Sequence, residues 1–571
     1  MRRGLAALAA LGLLALAGPA PAASDTPQAL RAEAFEAAQW AIASDAADAL
    51  ARVSARFAQG DDALGRLAAG REAAIVDRDR LERELERHYA SDDPASLEAR
   101  SRTRAAWEAV STRLHDLDAE IEARFPAYAE LTSPRALSVA ETQALLRPDE
   151  GLLLVLSNPE ATYVWGLSRD RVAWARSTAL DEAALAEAVA RLRATLTAEA
   201  ARGPDIDPIV FAGGAPAAFD SPEAYRLYAE LVKPVEAVFE GKSTLITVVT
   251  GPLTALPMGV LSTAPAERPA ATPEALAATP WLADRYALAS LPSVSSLLSL
   301  RCHLVEADRR SPGCPGPASA GRRRAAAGPP LRLAAFGAPL LSGAPVDATR
   351  GAPGADAVMG QDRLADVAKL KALPYLRGSR LELETLKARY PDDSLVRIGA
   401  EATERAVRET DAGPLARARF VVFSTHGLMA GSAAAEPGLV MTPPEEATPA
   451  DDGYLSASEA AQLSLDAEFV VLSACNTAAS DGRPGGEGLS GLARAFFYAG
   501  ARSVMVSHWE VSDAATTRLI TATFADLDAR AAADPGVRAR ALQAGMRAVR
   551  AERRWAHPAY WAAFTLVGEP G

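Results

Sequence analysis

The sequence predicts an α/β protein: a layered fold on a mainly parallel sheet, preceded by an N-terminal helical segment. Three observations carry this. Short apolar runs recur from about residue 140, and several lack the alternation of a half-exposed strand, which suits strands buried on both faces of a parallel sheet. Amphipathic stretches such as EGLSGLARAFFYAG lie between them, as helices covering such a sheet would. Before residue 135 the apolar residues instead recur at three- and four-residue steps, the period of a helix with one dry face.

Taken in order, the first residues, MRRGLAALAALGLLALAGPAPAAS, read as an export signal. Arg2 and Arg3 form the positive end, Leu5 to Leu16 the apolar stretch, and Ala20-Pro21-Ala22 the cleavage site. The apolar stretch is shorter than the roughly 20 residues that span a bilayer. No later segment reads as transmembrane. Residues 1–22 are therefore expected to be removed, leaving a periplasmic or secreted chain from near Ala23 with no stable membrane insertion; an uncleaved anchor is the alternative.

Residues 24–135 read as helices. Phe35, Ile42, Leu50, Val53 and Phe57 form one stripe, and Leu81, Leu85 and Tyr89 a second. Trp107, Val110, Leu114, Leu117, Ile121 and Phe125 form a third, which Pro126 stops. From about 140 the strand candidates are GLLLVLS, TYVWGLS, TLITVVT, LRLAAFG, RFVVFST, EFVVLSA, RSVMVSH and AAFTLVG. A Pro/Gly/Arg-rich stretch at 306–330 cannot bury a core and reads as a flexible linker. It divides a first part (140–305) from a second (331–568).

Net charge is −12, which disfavours nucleic acid, a partner that calls for a basic footprint. Proteins, peptides or small molecules are the expected partners. The chain has three cysteines. Cys302 and Cys314 flank a polar loop and are expected to pair in an oxidising compartment. Cys475 is left over: a free thiol, an intermolecular bond, or a small buried hydrophobe.

Two phosphate-binding patterns fail on context. GKST at Gly241–Thr244 has Glu236 where a P-loop needs glycine, and it precedes a strand instead of following one. GEGLSG, with Gly486, Gly488 and Gly491, opens a helix, but CNTAASDGRPG separates it from the strand it should follow directly. A dinucleotide enzyme is thus a distant third reading. There is no HExxH, CxxC or GxSxG, so no metal, no cofactor and no serine hydrolase is expected.

FVVFSTHGLMAG (Phe420–Gly431) and FVVLSACNTA (Phe469–Ala478) share one construction: an apolar run, two small residues, then a chemically competent one. His426 and Cys475 thus occupy equivalent strand tips. Ligands bind at strand C-termini of parallel sheets, where neighbours lie about 4.8 Å apart. Adjacent strands would bring imidazole and thiol into one crevice, the arrangement of a cysteine nucleophile with its proton-transfer partner.

These segments, with GGEGLSGLARAFFYAGARSVMVSHWEVSDAAT after them and GAPL, LPYLRGSRLELETL, GAEATERAVRE, TVVTGPLTALPMGVL and ALASLPSVSSLLSL before them, resemble the CHAT family of caspase-like cysteine peptidases across roughly 140–568. The helical segment also resembles the region preceding such domains. The resemblance implies a caspase-like layered sandwich with a non-catalytic first half and a catalytic second half. It implies Cys475 as nucleophile on a peptide carbonyl and His426 as proton carrier, with backbone N–H groups of Gly427 and Cys475 as oxyanion donors. No 34-residue repeat is found in 24–135, so no regulatory partner follows from the sequence.

The resulting expectation is an exported cysteine endopeptidase. The runner-up is a catalytically weak interaction module on the same fold. Cleavage after a basic residue is expected, with Asp513 in WEVSDAAT as the selecting charge, by similarity to separases, which resemble CHAT peptidases. Asp513 also suits the N-cap of the following helix, and both readings stay open. Arg322, Arg323 and Arg324 would then be a self-processing site in the linker.

Overall fold

The apolar runs become strands because most of their residues are buried, and shorter or more exposed strands complete the sheets. In chain order they are β1 (Glu150–Asn158), β2 (Ala161–Ser168), β3 (Val172–Ser177), β4 (Thr244–Val249), β5 (Ala287–Ser290), β6 (Leu331–Gly337), β7 (Ser394–Ile398), β8 (Ala418–Ser424), β9 (Gly427–Leu428), β10 (Gly438–Val440), β11 (Tyr454–Ser456), β12 (Phe469–Ser473), β13 (Ser503–Ser507) and β14 (Phe564–Gly568). The principal helices are α1 (Pro94–Arg124), α2 (Glu182–Leu196), α3 (Ser221–Leu231), α4 (Arg377–Arg389), α5 (Gly491–Ala499), α6 (Asp513–Ala529) and α7 (Val537–Arg550).

The computed structural model describes residues 30–41, scattered positions from 67 to 85, 94–124, 136–196, 217–303, 313–314, 329–343, 355–360, 364–429, 436–474, 477, 491–530 and 534–571. The expected export signal, most of the linker with Arg322, Arg323 and Arg324, and Cys475 itself lie outside the described residues.

Among the described residues, eleven strands form one sheet in the order β3-β2-β1-β4-β5-β14-β13-β12-β8-β6-β7. Pairing is parallel throughout, except along β3-β2-β1 and between β13 and β14. The expected α/β architecture with a mainly parallel sheet is what forms. The antiparallel β13–β14 joint reverses strand direction, so β4 and β5 point opposite to β6, β8, β12 and β13. The C-terminal ends of β6, β7, β8, β12 and β13 therefore lie together along one edge of the sheet, opposite to those of β4, β5 and β14.

Alternate residues of each central strand feed two cores. Leu333, Ala335, Phe420, Val422, Phe469 and Val471 pack with Leu383 and Leu386 of α4 and Leu519 and Phe524 of α6. Ala334, Phe336, Val421, Phe423, Val470 and Leu472 pack with Leu492 and Phe496 of α5 on the other face. Coverage of both faces is why these runs do not alternate. A third core gathers Leu152, Leu154, Trp165 and Ile246 of the first half with Phe35 from the helix at 30–41. Phe35 meets Trp165 edge-on at 6.4 Å, and Gln39 donates to the Leu137 carbonyl at 2.8 Å.

The expected Cys302–Cys314 disulfide is present, with Cα atoms 5.5 Å apart. Beside it, Arg301 is buried between Glu150 at the start of β1 and Glu569 just beyond β14, at 2.7 and 3.0 Å. No helix among the described residues is long and apolar enough to cross a membrane.

Candidate active site

β8 and β12 are neighbours and parallel, in register from Phe420↔Phe469 to Ser424↔Ser473. This register sets the site. His426 follows Ser424 by two residues, and in the sequence Cys475 follows Ser473 by two. The Thr425 N–H donates to the Ser473 carbonyl at 3.3 Å, extending the ladder to the residue before the histidine.

His426 is fully buried. Its carbonyl accepts the Val440 N–H at 3.0 Å, and the Thr425 hydroxyl donates to the Val440 carbonyl. The histidine turn is thereby tied to a small sheet, ordered β11-β10-β9, in which Gly427 faces Leu439. The imidazole Nε2 lies 2.7 Å from the Pro374 carbonyl oxygen. A carbonyl only accepts, so Nε2 carries the hydrogen and Nδ1 is the basic nitrogen of the neutral ring. The sequence did not reveal this partner, because a main-chain oxygen leaves no residue-type signal.

The segment around Cys475 is held at both flanks by one residue. Ser507, at the end of β13, donates its hydroxyl to the Ala474 carbonyl at 2.6 Å. Its N–H donates to Thr477 Oγ1 at 2.9 Å. One residue further back, Ser473 Oγ donates to Glu382 Oε2 at 3.1 Å in a fully buried contact. On the other side of β8, the Ala338 N–H donates to the Ser424 carbonyl at 2.9 Å.

Asp513 is buried at the first turn of α6, and its carboxylate accepts the Gly378 N–H at the start of α4. The cap of α6 is Ser512, whose side chain accepts from the Ala515 N–H. The cap alternative for Asp513 thus belongs to its neighbour, and Asp513 instead serves a helix 135 residues away in the chain. Its own helix and α4 are anchored together by that bond.

Among the described residues no group of His, Cys, Asp and Glu side chains is arranged to hold a metal ion. His508, just past β13, is buried with Nε2 at 2.9 Å from Thr565 Oγ1. Desolvation, helped by the nearby Arg193 charge, pushes its imidazole down to about 3. It is a neutral core histidine.

The family model described as the CHAT domain matches residues 221–569. This chain belongs to the CHAT family. The match spans β4 to β14, so the CHAT region includes both strand tips of the site. Other similarities are partial. The CHAT chain is 36% identical over 115 residues to tetratricopeptide repeat protein 28 of Mus musculus, a match covering 20% of this chain and 4% of that protein. It is 33% identical over 121 residues to tetratricopeptide repeat protein 28 of Homo sapiens, covering 21% and 5%. The chain thus spans about a twentieth of these relatives or less. Among solved structures, two Saccharomyces cerevisiae separase–securin complexes are similar at 11% and 9% identity. They cover 87% and 90% of this chain and 38% and 34% of theirs, both with a TM-score of 0.39.

Proposed function

We propose that this CHAT protein is an exported cysteine endopeptidase using Cys475 as nucleophile and His426 as proton carrier. The observation that supports this most is the β8–β12 register: two paired serines are each followed, two residues on, by one half of a thiol–imidazole couple. Pro374 accepts from Nε2, and this reading assigns proton exchange to Nδ1.

The chemistry proceeds in two halves. The Cys475 thiolate attacks the peptide carbonyl carbon, and the electron pair moves to oxygen, where backbone N–H groups of Gly427 and Cys475 would receive it. The intermediate collapses by breaking the C–N bond, and the imidazolium of His426 delivers its proton to the leaving amine. Water, losing a proton to the imidazole, then opens the thioester and restores the thiol. Neither metal nor cofactor enters.

Selection of a basic residue by Asp513 is part of this reading through the resemblance to separases, as is self-cleavage at Arg322, Arg323 or Arg324. The disulfide agrees with an oxidising compartment and so with export.

The test is mass spectrometry of a peptide library incubated with the purified mature protein, alongside an acyl electrophile directed at thiols. Cleavage together with labelling at Cys475 supports the reading. Neither cleavage nor labelling would leave the interaction module as the better account.

A further inference from the structure

Helix α4 carries a carboxylate where an amphipathic helix ordinarily presents a leucine. Its buried face is Ser379, Glu382, Leu383 and Leu386, and Glu382 has no exposed surface. Removing a carboxylate from water costs several kcal/mol unless hydrogen bonds compensate. Packing alone does not call for it, since Leu383 and Leu386 already join the helix to the sheet core.

One partner of Glu382 is informative. Ser473, whose hydroxyl it accepts at 3.1 Å, is a junction between the two chemical strands. It pairs with Ser424 in the ladder, its carbonyl takes the Thr425 N–H, and it precedes Cys475 by two residues. The same helix and its lead-in supply the Pro374 carbonyl to His426 and the Gly378 N–H to Asp513. Gly378 and Glu382 are four residues apart and so share a face of α4. A single element thus holds β8 through His426, β12 through Ser473, and α6 through Asp513.

We propose that Glu382 is a positioning residue, whose buried carboxylate fixes the end of β12 through Ser473 and keeps Cys475 in register with His426. The inference rests on the Cys475/His426 reading above. Loss of the contact lets the end of β12 shift against β8 without undoing the sheet. Displacements of about 1 Å in such a site cost on the order of a hundredfold in rate.

The test uses the full-length protein without reductant. Two of its three cysteines form the disulfide, so iodoacetamide uptake followed by intact mass reads Cys475. The decisive variant is Glu382→Leu combined with Ser473→Ala, which removes the carboxyl and the hydroxyl of this contact together. It should melt no lower than wild type, yet alkylate and cleave peptide about tenfold or more slowly, with KM within about twofold. Glu382→Gln keeps an acceptor oxygen and should recover both rates to within about threefold. A wild-type alkylation rate in the double variant, or a Gln variant no faster than the Leu one, overturns the proposal. If the double variant does not fold, Ser473→Ala alone decides: slowed alkylation supports it and an unchanged rate overturns it. Should the wild type cleave nothing, the peptidase reading fails, while the alkylation rates still decide the role of Glu382.

Discussion

The Asp513 carboxylate accepts the backbone N–H of Gly378, so the first turn of α6 is tied to the first turn of α4. A side chain expected to meet substrate is thus also a structural contact. Asp513→Ala removes an acceptor from a helix N-terminus and should cost about 1–3 kcal/mol of stability. If the carboxylate also selects a basic residue, the variant loses arginine preference by about tenfold or more. A cleavage profile identical to wild type, with only the melting temperature lowered, would leave Asp513 as a helix anchor.

Cys475→Ala and His426→Ala should each abolish peptide cleavage, by about a thousandfold or more, because nucleophile and proton carrier act as a unit. The double variant should be no slower than either single one. Circular dichroism of Cys475→Ala should match wild type. Activity near wild type in either single variant removes the dyad.

Gly337 closes β6 directly against the end of β8. A Cβ there would lie 2.0 Å from the Ser424 carbonyl oxygen, a distance no real contact reaches. Gly337→Ala must therefore push β6 away from the histidine strand. The expected result is a lowered melting temperature and slowed turnover together. A variant as stable and active as wild type would mean that the strand tips yield easily.

The Cys302–Cys314 bond closes a short loop, for which the chain-entropy effect is about 2–3 kcal/mol. Denatured, unreduced protein should titrate with one thiol reagent equivalent, and reduction should lower the melting temperature. Three equivalents without reductant would contradict the bond.

Burial holds His508 at about 3, well below its ordinary value near 6.5, so the unfolded chain binds a proton that the folded chain refuses. Its contribution to stability is present above about pH 6.5 and is lost as the pH falls towards 3. His557, pushed down to about 4 by desolvation, acts the same way. Glu404, raised to about 7 by burial and by Glu459, acts oppositely: its contribution is present below about 4.5 and lost as pH rises through 7. Urea unfolding across this range should show a shallower acid limb for His508→Gln than for wild type. Parallel limbs would mean that His508 does not govern the acid response.

All eight apolar runs of the sequence are strands, because burial of most of their residues on both faces leaves a largely unbroken hydrophobic signature. The strands that escaped notice lack it. β3 reads VAWARS, an edge strand largely exposed along its length, and β5 is only ALAS, four residues long. The small sheet uses strands of two or three residues, too short for any period. The proposed pairing of His426 with Cys475 was legible because a strand followed by a chemical residue repeats as a pattern. Pro374 was not, since it acts through its main chain. Nor was Glu382, for in RGSRLELETLKAR one glutamate looks like another until the fold buries it. The Asp513–Gly378 bond spans the interval between two helices and leaves no local trace.

The strand that unites the sheet is β14, inserted between β5 and β13 yet following every other strand in chain order. Until it docks, the two halves present open edges at β5 and β13, each a row of unpaired main-chain groups able to capture another strand. Synthesis runs from the N-terminus, so the histidine and cysteine strands emerge well before the strand that locks β13 in place. Completion of the sheet is therefore a late event in the life of each molecule, gated by a five-residue strand, about a hundredth of the whole chain. A chain interrupted ahead of Phe564 would carry both reactive side chains and still be vulnerable to aggregation at two unprotected borders.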